Sequence, residues 1–300
     1  MKIATILSVH TGMEVIFDTL DSVRTWVGDK VLMLVDGAHW EWAANMEIPA
    51  MKLQGFYHNL PKSPYRNVTF GLMNAQRLWP DMDWYCYCEY DVLFTSSAFK
   101  QDLEAAAERG VWLLGNDYRE GNIKFPLLEA MMKTKFDGSK YLLGCCLFHR
   151  GDFLRKLAEI DFFERFLFLT NSFSGGFFPD YDAQGGYDIV EHLYPTLAHH
   201  FGGRVEEFAH YERCSFLGPY WAGNFRKYPM RWIPTIDAEI EHFPEACIFH
   251  PLKKHDHPIR LFNKEKRQRI NKGKYGKGKF NSHNFGFRGG CKLDNIRQGK

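Results

Sequence analysis

Glu89 and Asp91 lie in an otherwise apolar and aromatic run, Trp84-Tyr85-Cys86-Tyr87-Cys88-Glu89-Tyr90-Asp91-Val92-Leu93-Phe94. Side chains alternate along a strand, so in one continuous strand both carboxylates point the same way. On one face of an apolar strand they repel each other and lose hydration. A hard divalent cation between them removes both penalties. Mg²⁺ or Mn²⁺ takes carboxylate oxygens and completes its shell with substrate phosphates. The plainer alternative is that the strand ends early and both acids are solvated loop residues.

A second acidic pair sits in Gly185-Gly186-Tyr187-Asp188-Ile189-Val190-Glu191-His192-Leu193-Tyr194-Pro195-Thr196. Asp188 and Glu191 are three apart and share one face of a helix. A carboxylate held near a hydroxyl serves as a general base. The same spacing is also an N-cap with an acid at the third helical position. Pro195 either kinks this helix or marks its start. Cys247-Ile248-Phe249-His250-Pro251-Leu252-Lys253-Lys254 places a histidine at the end of a short apolar strand, with two cations behind it. A lone histidine in such a place is ordinarily capped or solvent-facing. His255-Asp256-His257 has an unspecific spacing for a metal, and His199-His200 reads as the end of a helix.

These residues need elements that bring them together. Residues 3–9 form an apolar strand, followed by His10-Thr11-Gly12 as a loop. Val15, Ile16, Leu20, Val23 and Val27 have helical spacing over 13–26. Val31–Val35 is a continuous apolar run closed by Asp36-Gly37, as in a strand of a parallel sheet covered on both faces. A helix over 67–78, ended by Pro80, leads to a third strand over 84–94. Further on come a helix over 99–109, strands over 111–115 and 141–148, and one helix over 151–169. A Gly-rich loop over 172–186, a helix over 188–201 and a strand over 204–208 complete the pattern. The β-α-β-α-β start predicts an α/β sheet with helices on both faces. Ligands of such sheets bind beyond the carboxyl ends of the strands. His10, Thr11, Asp36, Glu89 and Asp91 all fall there.

The composition sets the bounds. The 300 residues are 45% hydrophobic and 25% charged, enough for a large core and against general disorder. There is no apolar run long enough to span a membrane, and the N-terminal run lacks the features of a signal peptide. Seven scattered cysteines with no C-x-x-C pair suit buried thiols in a reducing compartment, so a cytoplasmic protein is expected. The sequon Asn67-Val68-Thr69 is then a chance match. The net charge of +2 hides a split: Lys253 to Lys300 carries 15 Lys and Arg against 3 Asp and Glu. We expect a catalytic domain over 1–262 and a basic, Gly-rich tail over 263–300. Blocks of this kind attract nucleic acid or an anionic membrane surface; the plain reading is a solvated tail.

The order of strand, Asp36 at the second strand end, helix, then an apolar strand ending in Glu89-Tyr90-Asp91 resembles the GT-A glycosyltransferases over residues 1–255. The resemblance implies a GT-A-like, Rossmann-type sandwich with a central mixed, mainly parallel sheet flanked by helices. It implies a nucleotide-sugar donor, UDP- or GDP-linked, a hydroxyl acceptor such as a glycan or other small molecule, and Mn²⁺ or Mg²⁺ held by an E-x-D version of the family's D-x-D motif. On that basis Glu89 and Asp91 hold the metal and His250 adds a third ligand. Asp36 contacts the base or ribose, although Asp36-Gly37 also reads as a plain turn. Arg66, in Tyr65-Arg66-Asn67, pairs a phosphate or is a solvated helix-start residue. Lys253 meets the diphosphate. Glu191 or Asp188 is the base of an inverting transfer, the Gly-rich loop before them is a lid or a surface loop, and Gly144 lets backbone approach the donor sugar. Two other classes remain open: a sugar-nucleotide nucleotidyltransferase, disfavoured by the lack of a Gly-rich basic loop after the first strand, and a nucleic-acid-binding module acting through the tail.

Overall fold

The computed structural model describes residues 1–9, 13–35, 40–43, 46–52, 63–121, 123–172, 189–208, 227–230 and 243–275. Of the expected site residues, His10, Thr11, Asp36 and Asp188 lie outside the described residues, as do nearly all of the Gly-rich loop and the tail beyond Tyr275.

The opening strands are β1 (Ile3–Val9), β2 (Val31–Val35) and β3 (Ala50–Lys52), with helices α1 (Met13–Trp26) and α2 (Trp40–Ala43) between them. Helix α3 (Ser63–Leu78) leads into β4 (Trp84–Glu89). Then come β5 (Leu93–Phe94), α4 (Phe99–Glu108), β6 (Val111–Gly121), α5 (Pro126–Met132) and β7 (Ser139–Arg150). The rest is α6 (Gly151–Glu159), α7 (Phe162–Ser172), α8 (Ile189–His200), β8 (Arg204–Glu207), β9 (Ile248–Phe249) and α9 (Pro258–Tyr275).

Seven strands form one sheet in the order β3-β2-β1-β4-β7-β6-β8. All neighbours pair in parallel except β7, which is antiparallel to both β4 and β6. This is the expected α/β sandwich with a mixed, mainly parallel sheet. Alternate residues of each strand enter two different cores. Ile3, Leu7 and Val9 of β1, with Val31, Met33 and Val35 of β2, pack on the face covered by α1 and α4. Ala4, Ile6, Leu32 and Leu34 pack on the face covered by α3, α6 and α8. Burial on both faces is why these strands read as unbroken apolar runs. Helix α3 sits close to the sheet at Gly71, where a Cβ would come to 2.6 Å from Leu34 Cδ1 and 2.7 Å from Ile6 Cγ2.

Several boundaries differ from the sequence expectation. The run 84–94 is not one strand. β4 ends at Glu89, the chain turns with Val92 N–H donating to Glu89 O at 3.1 Å, and β5 pairs with β9 in a separate two-stranded sheet. α3 begins at Ser63, four residues before the expected start, with Pro64 in its first turn. The helix expected over 151–169 is two helices, broken where Asp161 takes φ 53°. Pro195 lies inside α8 rather than at its start.

The boundary drawn between residues 262 and 263 falls inside α9. Arg260, Asn263 and Arg267 of this helix are buried. Arg260 and Arg267 both pair with Asp18, and Arg267 also pairs with Asp21, all on α1. The first part of the basic segment is therefore docked on the sandwich instead of being a solvated tail, because α1 supplies the opposite charge. Asn67 of the sequon is buried on α3. The described cysteines, Cys86, Cys88, Cys145, Cys146 and Cys247, are buried and free. No helix among the described residues is long and apolar enough to cross a membrane.

Candidate metal and active site

β4 delivers Glu89 to the carboxyl end of the sheet, where Glu89 faces Ser8 of β1. The turn after it folds Asp91 inward, leaving it 1% exposed while Glu89 stays partly exposed. Strand alternation is therefore not what unites the two acids; the turn is. β9 runs antiparallel to β5 and is followed directly by His250. The small β5–β9 sheet thus carries a residue from near the end of the chain back to the turn. His250 Nε2 lies 3.3 Å from Glu89 Oε2 and 3.4 Å from Asp91 Oδ1. One ligand atom from each of the three residues lies within 4.8 Å of the others.

The electrostatics of the trio follow from burial and from the opposite charges it brings together. Burial acts to raise the Asp91 pKa, but the His250 imidazolium and the Lys253 ammonium outweigh it and hold the carboxyl below its ordinary value. Burial acts to lower the His250 pKa; Cys145 and Asp91 act the other way and hold it well above the ordinary histidine range. Burial also pushes the Cys145 thiol up to about 11, which leaves Asp91 as the neighbouring anion that favours the protonated imidazole. Asp91 Oδ1 is buried with no hydrogen bond of good geometry, and so is His250 Nδ1. Two carboxylates and an imidazole, one oxygen of them unsatisfied, fit a divalent cation of the Mn²⁺ or Mg²⁺ kind. As a ligand His250 must be neutral, so its proton leaves when a cation is bound.

A second feature lies where α8 docks on β7. In α8, Leu193, Tyr194, Leu197 and Ala198 face the core, and Tyr194 Oη donates to Thr69 Oγ1 of α3 at 2.8 Å. Thr196 Oγ1 accepts the Lys140 N–H of β7 at 2.9 Å. This docking puts Glu191, in the first turn of α8, over β7. Its Oε1 accepts the Gly144 N–H at 2.8 Å. Burial, then the neighbouring Glu191, push the Tyr141 hydroxyl well above the usual tyrosine range. The Arg119 guanidinium lies 4.3 Å from the centre of the Tyr141 ring. Gly144 precedes Cys145, the residue against His250.

The structure thus brings Glu89, Asp91 and His250 together, with Lys253 close enough to act on Asp91, and holds Glu191 on β7 at Gly144. Lys253 is exposed at its edge. Residue 66 falls in the first turn of α3, and its side chain is outside the described residues. Sequence reasoning missed Tyr141, Arg119 and Cys145, because nothing in a strand's local pattern says which of its residues end near a site. It also missed the α9 arginines, although Arg260 and Arg267 are seven apart and so share a helix face.

No family model and no curated protein sequence matches the chain. Among solved structures it is similar to a glycosyltransferase involved in the glycosylation of the major capsid of PBCV-1, at 14% identity and TM-score 0.41, covering 90% of this chain and 100% of that one. It is also similar to residues 1–349 of S. aureus TarS, at 11% identity and TM-score 0.32, covering 53% of this chain and 49% of that one. Likenesses this distant assign no role to any residue.

Proposed function

We propose that the protein is a divalent-metal-dependent glycosyltransferase that moves a sugar from a UDP- or GDP-linked donor to a hydroxyl acceptor with inversion. The observation that carries this reading is the convergence of Glu89, Asp91 and His250 at the carboxyl end of the sheet. Glu89, Asp91 and His250 would hold Mn²⁺ or Mg²⁺, which when bound stabilises the charge of the departing diphosphate. Lys253 is close enough to Asp91 to depress its pKa and so can meet the same diphosphate. Glu191 is the base. The Gly144 N–H fixes its carboxylate, and a fixed carboxylate takes the acceptor proton as the sugar bond forms. Asp36 and Arg66 keep the nucleotide contacts that the GT-A resemblance implies, His10 and Thr11 follow β1 where ligands of such sheets bind, and Asp188 stands as the alternative base. Buried free thiols are in keeping with a reducing, cytoplasmic setting.

The deciding experiment is calorimetric titration of the wild type and Asp91→Ala with UDP and with GDP, in Mn²⁺ and in EDTA. Binding of one nucleotide that needs Mn²⁺ and disappears in Asp91→Ala supports the reading. Binding that ignores both EDTA and the substitution removes the roles of Glu89, Asp91 and His250.

A further inference from the structure

The turn that carries Asp91 is held by a closed ring of hydrogen bonds built from parts of the chain that do not belong to the trio. Thr19 of α1 is fully buried, and its hydroxyl lies 2.5 Å from Tyr90 O and 2.9 Å from Val92 O. The carbonyl between them, Asp91 O, accepts the Leu252 N–H at 2.9 Å. Leu252 O in turn accepts Arg260 Nε–H at 2.9 Å, and Arg260 Nη2–H donates back to Thr19 Oγ1 at 3.2 Å. Arg260 Nη1–H reaches Asp18 Oδ2 at 2.6 Å, which fixes the guanidinium on α1. The single hydroxyl hydrogen of Thr19 serves the carbonyl of residue 90 or of residue 92 at any moment, the carbonyl of Asp91 is held by Leu252, and Arg260 links Leu252 back to Thr19. Leu252 is two residues beyond His250, so the same ring sets the position of the His250 segment against the turn.

A valine at position 19 would fill nearly the same space as threonine, so packing alone does not call for the hydroxyl. Nor does α1 need Arg260 for its own helical bonds. What the ring does is fix the relative position of two segments, 89–92 and 250–252, whose side chains form the trio.

We infer that Thr19 and Arg260 are positioning residues that hold the Glu89–Asp91 turn and the His250 segment in cation-binding register. This inference rests on the metal-dependent reading given above. Groups that orient ligands without touching the ion typically change metal affinity by about 10–100-fold when removed. Helices α1 and α9 are then working parts of the site.

The test compares wild type, Thr19→Val, Thr19→Ser, Arg260→Lys and Asp91→Ala. Mn²⁺ affinity is read from the electron paramagnetic resonance signal of free Mn²⁺, without nucleotide and with UDP or GDP, and the thermal midpoint is read without metal. Thr19→Val is expected to weaken Mn²⁺ binding by about 10-fold or more. Thr19→Ser should stay near wild type, and saturating Mn²⁺ should restore the kcat of Thr19→Val. Wild-type Mn²⁺ affinity in Thr19→Val, alongside loss in Asp91→Ala, overturns the inference and leaves the metal reading standing. A wild type that binds no Mn²⁺ in any of these conditions overturns both. Should Thr19→Val fail to fold, Arg260→Lys decides. It keeps a cation for Asp18 but cannot span Leu252 O and Thr19 Oγ1 together, so weakened Mn²⁺ binding supports the inference and unchanged binding refutes it.

Discussion

The Gly144 backbone N–H donates to Glu191 Oε1 at 2.8 Å, and a Cβ on residue 144 would come to 3.0 Å from Glu191 Cγ. The seat of this carboxylate therefore requires bare backbone on β7. The next residue, Cys145, packs against His250. The proposed base and one proposed metal ligand are thus referred to adjacent positions of a single strand.

Gly144→Ala should push the Glu191 carboxylate out of place with little loss of stability. We expect kcat to fall about tenfold, a rise of about 1.4 kcal/mol in the barrier, with the thermal midpoint nearly unchanged. Glu191→Gln should lower kcat by about 10²–10⁴-fold. Steady-state sugar-transfer assays read both, and a Glu191→Gln enzyme with wild-type kcat would eliminate Glu191 as the base.

Chelation should abolish transfer by the wild type, and added Mn²⁺ or Mg²⁺ should restore it. Asp91→Asn keeps the shape of the side chain but removes the charge that opposes His250. Its kcat/KM should fall on the order of 10²–10³-fold, the usual cost of losing one preorganised electrostatic stabiliser. His250→Gln should cost less, since an amide oxygen still ligates a hard cation. Full turnover by the EDTA-treated wild type would contradict the metal role outright.

His149 is fully buried on β7, its ring 5.2 Å from that of Tyr194, and burial lowers its pKa to about 3. The unfolded chain binds a proton near pH 6.5 that the folded chain refuses. Stability is therefore full above about pH 6.5 and drains as pH falls towards 3, at about 1.4 kcal/mol per unit. His192, lowered to about 4 by burial and then by Arg119, adds to the same slope. Urea unfolding at pH 7 and pH 5 should differ by on the order of 2 kcal/mol for His149 alone. His149→Phe should flatten the dependence, and an unaltered slope would show that His149 is protonated in the fold.

Arg267 is buried against Asp18 and Asp21. Arg267→Met should leave Asp18 with one partner fewer in a low-dielectric setting, at a cost of about 3 kcal/mol in stability. Urea denaturation at pH 7 measures it. A loss below about 1 kcal/mol would place these pairs with ordinary surface ion pairs.

The sequence by itself determined the sheet. The apolar runs 3–9 and 31–35 can be satisfied only by strands covered on both faces, and the helical spacing of Val15, Ile16, Leu20 and Val23 can be satisfied only by a helix lying on one of them. Glu89 and Asp91 were legible as candidates because their chemistry is out of place among apolar neighbours, whereas Glu191 and His250 took their roles from the GT-A resemblance. The turn at Tyr90-Asp91 was not legible. Val92-Leu93-Phe94 is as apolar as the strand before it, and its burial comes from β9, which is formed by residues 248–249. The docking of α9 was equally hidden. Its buried face is made of Arg260, Asn263 and Arg267, and a buried arginine is acceptable only where opposite charge awaits it. That charge comes from Asp18, 242 positions away from Arg260. Local patterning shows which groups could act. Only tertiary structure decides which of them meet, because the partners that make burial of a charge tolerable come from distant parts of the chain.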